Sequence, residues 1–167
     1  MEGLYRFAEF NDGTTTIKLN VEEALNLTHS TECFGGYSTI RTLDGAGVKV
    51  FNWKKKKLSI SASGAYVSTL HDLNYTVPIT VKWGAKEATT VTSLLAILPP
   101  HRTDTGYSPV YYSLVDGLRV KYNGSNPSAS YIVEYYPIFT ALFAPPSVTK
   151  TEDNALGYAL TLSGEEV

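Results

Sequence analysis

Three histidines, one cysteine and a run of four lysines are the side chains of this 167-residue chain whose types could do chemistry. His29, His71 and His101 stand far apart, and none falls in an HExxH pattern or beside a CxxC pair. A zinc site needs three or four ligands converging at about 2 Å, which this spacing does not suggest. Cys33 is alone, so no internal disulfide can form, and it reads as a buried inert thiol rather than a nucleophile. Asp12, Asp44 and Asp116 each precede a glycine. Asp before Gly is turn chemistry far more often than acid catalysis, because glycine accepts the positive φ of a tight turn. No GxSxG, P-loop or dinucleotide fingerprint is present. The expectation is a non-enzyme, with no catalytic, cofactor-binding or metal-binding residue to assign.

What remains is chemistry of contact. Lys54, Lys55, Lys56 and Lys57 form the only charge run. They read either as a solvated loop between two strands or as a docking patch for an acidic surface, since four adjacent ammonium groups are costly to bury. Trp53, just before them, is either an interface anchor or, as the favoured reading, an inward-facing core residue. Tyrosines 107, 111, 112, 131, 135 and 136 could stack on sugar rings, but at strand spacing they split across both faces of a sheet, which favours core and subunit-contact roles. Trp53, Lys54, Lys55, Lys56, Lys57, Tyr111, Tyr135 and Tyr136 are therefore the interface candidates.

The elements that must position them are strands. Twelve tyrosines and a single methionine, within 43% hydrophobic and 12% aromatic residues, favour pleated sheet over helix. A net charge of -2 gives no general attraction to nucleic acid or membrane. The first ten residues lack a basic and apolar leader pattern, and no run approaches about 18 apolar residues, so the chain is expected to be made as a cytosolic, soluble protein. Residues 57–63, KLSISAS, alternate at period two and put Leu58, Ile60 and Ala62 on one face, with serines opposite. Residues 39–43 and 47–51 flank Asp44-Gly45, and residues 110–115 and 118–122 flank Asp116-Gly117; both predict tight primed hairpins.

An opening hairpin is expected over 4–10 and 14–19, a turn at Asn20 to Glu23 and a strand at 24–30. A loop follows at 70–74. Residues 76–83 read as a strand at a sheet edge or beside a bulge, because Pro78 cannot donate to a ladder. The run 88–98 leans to strand, 101–109 reads as a joint between two halves, and strands are expected at 131–136, 138–144 and 158–163 before an acidic tail at Glu165 and Glu166. About ten short strands with regular turn signals predict one all-β unit, a β-sandwich or barrel.

The stretch RTLDGAGVKVFNWKKKKLSISASG, residues 41–64, resembles the N-terminal motif of small structural proteins of long-tailed, siphophage-type bacteriophages. There an arginine, a turn, a Val/Ile-Lys pair, a Trp-basic cluster and an Ile-Ser-x-Ser-Gly strand follow in this order. The likeness continues through Leu73-Asn74-Tyr75, through Arg102 to Pro109, through Tyr135 to Pro137 with Pro145-Pro146, and through Leu162 to Val167. The longer lysine run and the absence of a proline-rich stretch after Gly64 depart from the pattern and leave the station in the virion open. The resemblance implies an Ig-like β-sandwich that acts without catalysis or cofactor. It further implies a tail collar or tail-tip ring of many copies that encircles the tail tube and anchors fibres or neighbouring tail proteins, in a virion assembled in the bacterial cytoplasm. The alternative is a host-surface module that binds glycan through tyrosine-rich loops.

Overall fold

The computed structural model describes residues 8–19, 28–51, 53–63, 68–115, 117–124, 130–150 and 158–167. The chain is all-β, as expected, and its antiparallel sheets are consistent with a β-sandwich. The largest sheet is built from β1 (Ala8–Asn11), β2 (Thr16–Leu19), β3 (Thr28–Phe34), β6 (Lys55–Ser63), β7 (Ile79–Lys82), β12 (Ile138–Phe143), β13 (Ser147–Lys150) and β14 (Tyr158–Glu166). Its order is β2-β1-β7-β12-β14-β6-β3, with β13 also on β14. Alternation at period two gives this sheet one apolar face, carrying Phe10, Leu58, Ile60, Ile79, Val81, Phe139, Phe143, Leu160 and Leu162, all buried. Each such side chain contributes about 1.5–3 kcal/mol by leaving water.

The sheet curls over that core. The Phe10 ring on β1 meets Phe143 on β12 edge to face at 6.0 Å, and His29 on edge strand β3 meets Trp83, just past β7, at 4.8 Å. Three strands separate β3 from β7 in the sheet, so only curvature brings those rings together. A 3-10 turn, Ser68–Asp72, lies where a loop is expected and seals the core with Leu70, followed by Leu73.

The second sheet, β10-β9-β11-β8, comprises β8 (Glu87–Val91), β9 (Val110–Val115), β10 (Leu118–Lys121) and β11 (Tyr131–Tyr135). The chain passes between the sheets twice, from β7 to β8 and from β11 to β12, and the two passages run side by side, since β7 pairs with β12 and β8 with β11. The main sheet thus draws strands from both sides of residues 99–109, which do not divide the chain into halves. That segment instead braces the crossing. Arg102 N–H donates to the Tyr136 carbonyl at 2.8 Å, and Ile138 N–H donates to the Pro100 carbonyl at 2.9 Å. The Arg102 side chain is fully buried, bonded through Nε and Nη2 to the Asp104 carboxylate and through Nη1 to the Trp83 carbonyl, and it lies 3.3 Å from the Tyr107 ring centroid.

Several expectations change. Pro78 lies just before β7, where no ladder donor is needed, so β7 is an interior strand between β1 and β12 and not an edge. The run 88–98 is strand only to Val91, after which Leu95 and Ile97 stand in solvent. Glu165 and Glu166 are paired in β14 rather than forming a tail. Strand β13 lacks an apolar alternation, yet it continues β12 along β14. Phe143↔Gly164 gives way to Ser147↔Thr161, a one-residue bulge that absorbs Pro145-Pro146. The turn at Asn20 to Glu23, the strand start at 24–27 and Asp116 lie outside the described residues.

Candidate assembly surface

The strands β3 and β6 do not stop at the sheet. Past Gly35-Gly36 the same two chain segments continue as β4 (Tyr37–Arg41) and β5 (Gly47–Phe51), a separate two-stranded ribbon. The register moves from Phe34↔Lys55 to Tyr37↔Phe51, so one extra residue bulges out on the β5–β6 side. At this elbow the backbone packs closely. A Cβ on Gly35 would lie 2.2 Å from the Trp53 carbonyl oxygen, and one on Gly36 would lie 2.5 Å from the Trp53 indole nitrogen. At Gly35 only glycine fits without moving backbone, and at Gly36 a Cβ would displace the indole.

The ribbon turns at residues 42–46. Thr42 N–H donates to Ala46 carbonyl, and Gly45 N–H donates to Thr42 carbonyl, each at 2.9 Å, with Gly45 at φ +83°. This is a three-residue hairpin loop with a left-handed glycine, not the two-residue primed turn expected. The Asp44 carboxylate accepts from the Thr42 hydroxyl and the Ala46 N–H, which holds it below the usual carboxylate range. Asp12 does the same in the first hairpin, accepting from the N–H groups of Thr14, Thr15 and Asn74, and is lowered further. These aspartates do turn chemistry.

Pairing fixes which arm residues share a face. Ile40↔Val48 and Ser38↔Val50 lie on one side, and Thr39↔Lys49 and Arg41↔Gly47 on the other. One face is therefore apolar and uncharged, while the other is cationic, with Lys49 Nζ 3.7 Å over the Tyr37 ring. Ile40 is 56% exposed, Val48 and Val50 are also exposed, and Leu43 at the tip is fully so. An isolated two-stranded ribbon is marginal in water. Here its apolar face is covered by nothing among the described residues.

The interface candidates divide. Trp53 is not a core residue: it is 48% exposed, at the root of the arm, with its ring edge-on to Phe34 at 5.4 Å. Lys54 is exposed, and Lys55, Lys56 and Lys57 belong to β6 instead of a loop, so their side chains alternate. Lys55 and Lys57 point outward; Lys56 points inward, paired with Glu87 of the second sheet and 4.9 Å from the Phe139 ring centroid. Tyr135 and Tyr136 are buried and present no surface to another molecule, and Tyr111 is half-buried. Burial pushes the Tyr135 phenol up, with Glu87 adding to it. Cys33, expected buried, is exposed.

Leu142 was not singled out by sequence, yet it completes the surface. On the outer face of the main sheet, Glu32, Lys57, Glu165 and Leu142 stand opposite one another across β3, β6, β14 and β12. Of these, Lys57, Glu165 and Leu142 border, with Phe34, Trp53 and Lys55, an open groove of about 710 Å³ beside the root of the arm. Among the described residues no group of three His, Cys, Asp or Glu side chains is placed to hold a metal ion. His29 is inside the curl, its Nε2 without a hydrogen-bond partner, and burial lowers its pKa to about 4. Compared with protein-family models and with curated proteins, the chain matches none.

Proposed function

We propose that this chain is a non-enzymatic structural protein that works by assembly, as a multi-copy ring component of a bacteriophage tail, of the Ig-like collar or tail-tip kind. The observation that carries the reading is the projecting ribbon β4–β5, whose Ile40, Val48 and Val50 face has no cover among the described residues. An apolar face of that kind marks a contact with another protein. The partners are other copies of the chain, the tail tube, and fibre or tail-tip proteins, with no nucleic acid or membrane involved.

The outward side chains beside the arm support the same role. Trp53 is a large, half-exposed anchor, and Lys54, Lys55 and Lys57 border it as a solvated cationic rim. The burial of Tyr107, Tyr131, Tyr135 and Tyr136 leaves little of a tyrosine platform for glycan and favours assembly over saccharide binding. The test is composition: electron microscopy and quantitative mass spectrometry of purified tails are expected to find the chain in fixed, multiple copies per particle. Its absence from tails would overturn the reading.

A further inference from the structure

Resting on the assembly reading, we infer that the apolar face of the β4–β5 arm seats in the outer-face groove of a second copy, the groove bordered by Phe34, Trp53 and Leu142. The two surfaces match in character. The arm offers Ile40, Val48 and Val50 without a charge among them, and the groove offers two aromatic rings and a half-exposed leucine. The tip of the arm carries both signs of charge, Arg41 and Asp44, and so does the groove border, with Glu165, Lys55 and Lys57.

The occupant is another copy because the arm is rooted at its own groove. Trp53 and Phe34 form both the elbow and the groove wall. A five-residue strand pair spans about 17 Å, so the arm leads its apolar face away from that wall. Returning it would require a reversal at the elbow, where Gly35 and Gly36 are packed against Trp53.

Size argues for a ring rather than a pair. A ribbon of this length covers roughly 400 Å² on each side, or about 800 Å² in total, below the ~1,200 Å² at which specific pairwise interfaces begin. One such contact does not sustain a dimer. Each copy, however, owns one arm and one groove, which makes the contact head-to-tail. Head-to-tail contacts close into a ring where the angle of rotation from copy to copy completes a turn, and closure multiplies a modest contact. The packed elbow is what fixes that angle.

The experiment is a disulfide trap in the purified full chain, with Cys33→Ser to remove the native thiol. Ile40→Cys and Leu142→Cys are placed in separate chains; both positions are exposed, so folding is unaffected. Mild oxidation of the mixture is expected to give a cross-linked heterodimer at least tenfold faster than either variant alone. The chain carrying both cysteines is expected to give a ladder ending in one closed species. Equal cross-linking of Ile40→Cys with itself would replace the seat in the groove with an arm-to-arm contact, and no cross-linking above a control pair on β10 would remove the contact altogether. Gly36→Ala, which pushes on the indole, is expected to keep the cross-link but spread the ladder over several ring sizes. A ladder unchanged from the parent would refute the elbow as the source of the angle. Since no tail is present, a specific cross-link from a chain absent from virions would leave this contact standing and sink the tail reading. A chain abundant in tails without the cross-link would do the reverse.

Discussion

Replacing Arg102 by methionine tests whether the crossing between the sheets is held by this one side chain. The guanidinium is fully buried, bonds Asp104 through two nitrogens, donates to the Trp83 carbonyl and lies on the Tyr107 ring, which in turn packs on Tyr136 at 4.7 Å. Methionine keeps much of the apolar stem and removes the charge, the donors and the stacking cation. Breaking a buried ion pair by removing one partner costs about 3–5 kcal/mol when the other is left in low dielectric. Asp104 is more than a third exposed and stays hydrated, so the lower end applies. The expectation is about 3 kcal/mol, of which the lost cation–π contact is on the order of 1. For a chain of this size that is a fall of roughly 6–12 °C in Tm.

The pH dependence adds a signature that packing loss alone does not give. Hydrogen bonding from Arg102, above all, holds the Asp104 carboxyl below its ordinary range. Stability from this carboxylate is therefore present above its unfolded pKa and is lost as pH falls below about 4 toward the lowered folded value. In Arg102→Met that acid-side loss should shrink. Urea unfolding at pH 7 and at several values below 4 measures both. A change under 1 kcal/mol with the same acid profile would refute the strut.

Three further outcomes are expected. His29→Phe should flatten stability between pH 6.5 and about 4: burial lowers the folded pKa, so the unfolded chain takes up the proton first and wild-type stability falls as pH falls through that window, which calorimetry across it can check. Gly45→Val and Gly117→Val should each lose about 1–2 kcal/mol, because φ is +83° and +76°, while no neighbouring atom obstructs a Cβ at either; an unshifted denaturation midpoint would place the turns elsewhere. Changing Lys54, Lys55 and Lys57 to serine should leave Tm within about 2 °C while weakening assembly, most of all at low salt where their charge contacts are least screened, whereas Lys56→Ser should lower Tm by breaking the link to Glu87; equal thermal effects would show that the four lysines are not divided in this way.

Period and turn chemistry made much of the fold legible. Leu58, Ile60 and Ala62 face the core and Ser59 and Ser61 the other side, and Asp12 and Asp44 close their turns as their sequence neighbours imply. What local pattern does not carry is partnership. Pro78 says only that one N–H is missing, and since that residue precedes the ladder, it places no limit on where β7 sits. Serine and threonine in β13 give no signal because the strand is recruited by the free upper edge of β14. Arg102 and Asp104, two residues apart, read as a polar loop until Trp83 and Tyr107 close around them.

The same limit explains why the hairpin over 39–51 was legible in the sequence while its exposure was not. Ile40, Val48 and Val50 alternate with polar neighbours just as Leu58 and Ile60 do, and alternation reports only that one face is apolar. Whether that face finds its cover in the same chain depends on the ribbon's direction, which is set at the elbow by Gly35, Gly36 and Trp53. On the sheet side of the elbow Leu58, Ile60 and Ala62 of β6 meet the core; beyond it Ile40, Val48 and Val50 meet water. A hairpin made only to fold would be expected to carry polar residues on both sides of its distal half, because exposed ribbon edges with an apolar face invite pairing. Retaining three aliphatic side chains there is unfavourable for an isolated monomer and favourable only when another surface is at hand. The groove beside the arm's root is such a surface, and a ring of copies brings one to every arm.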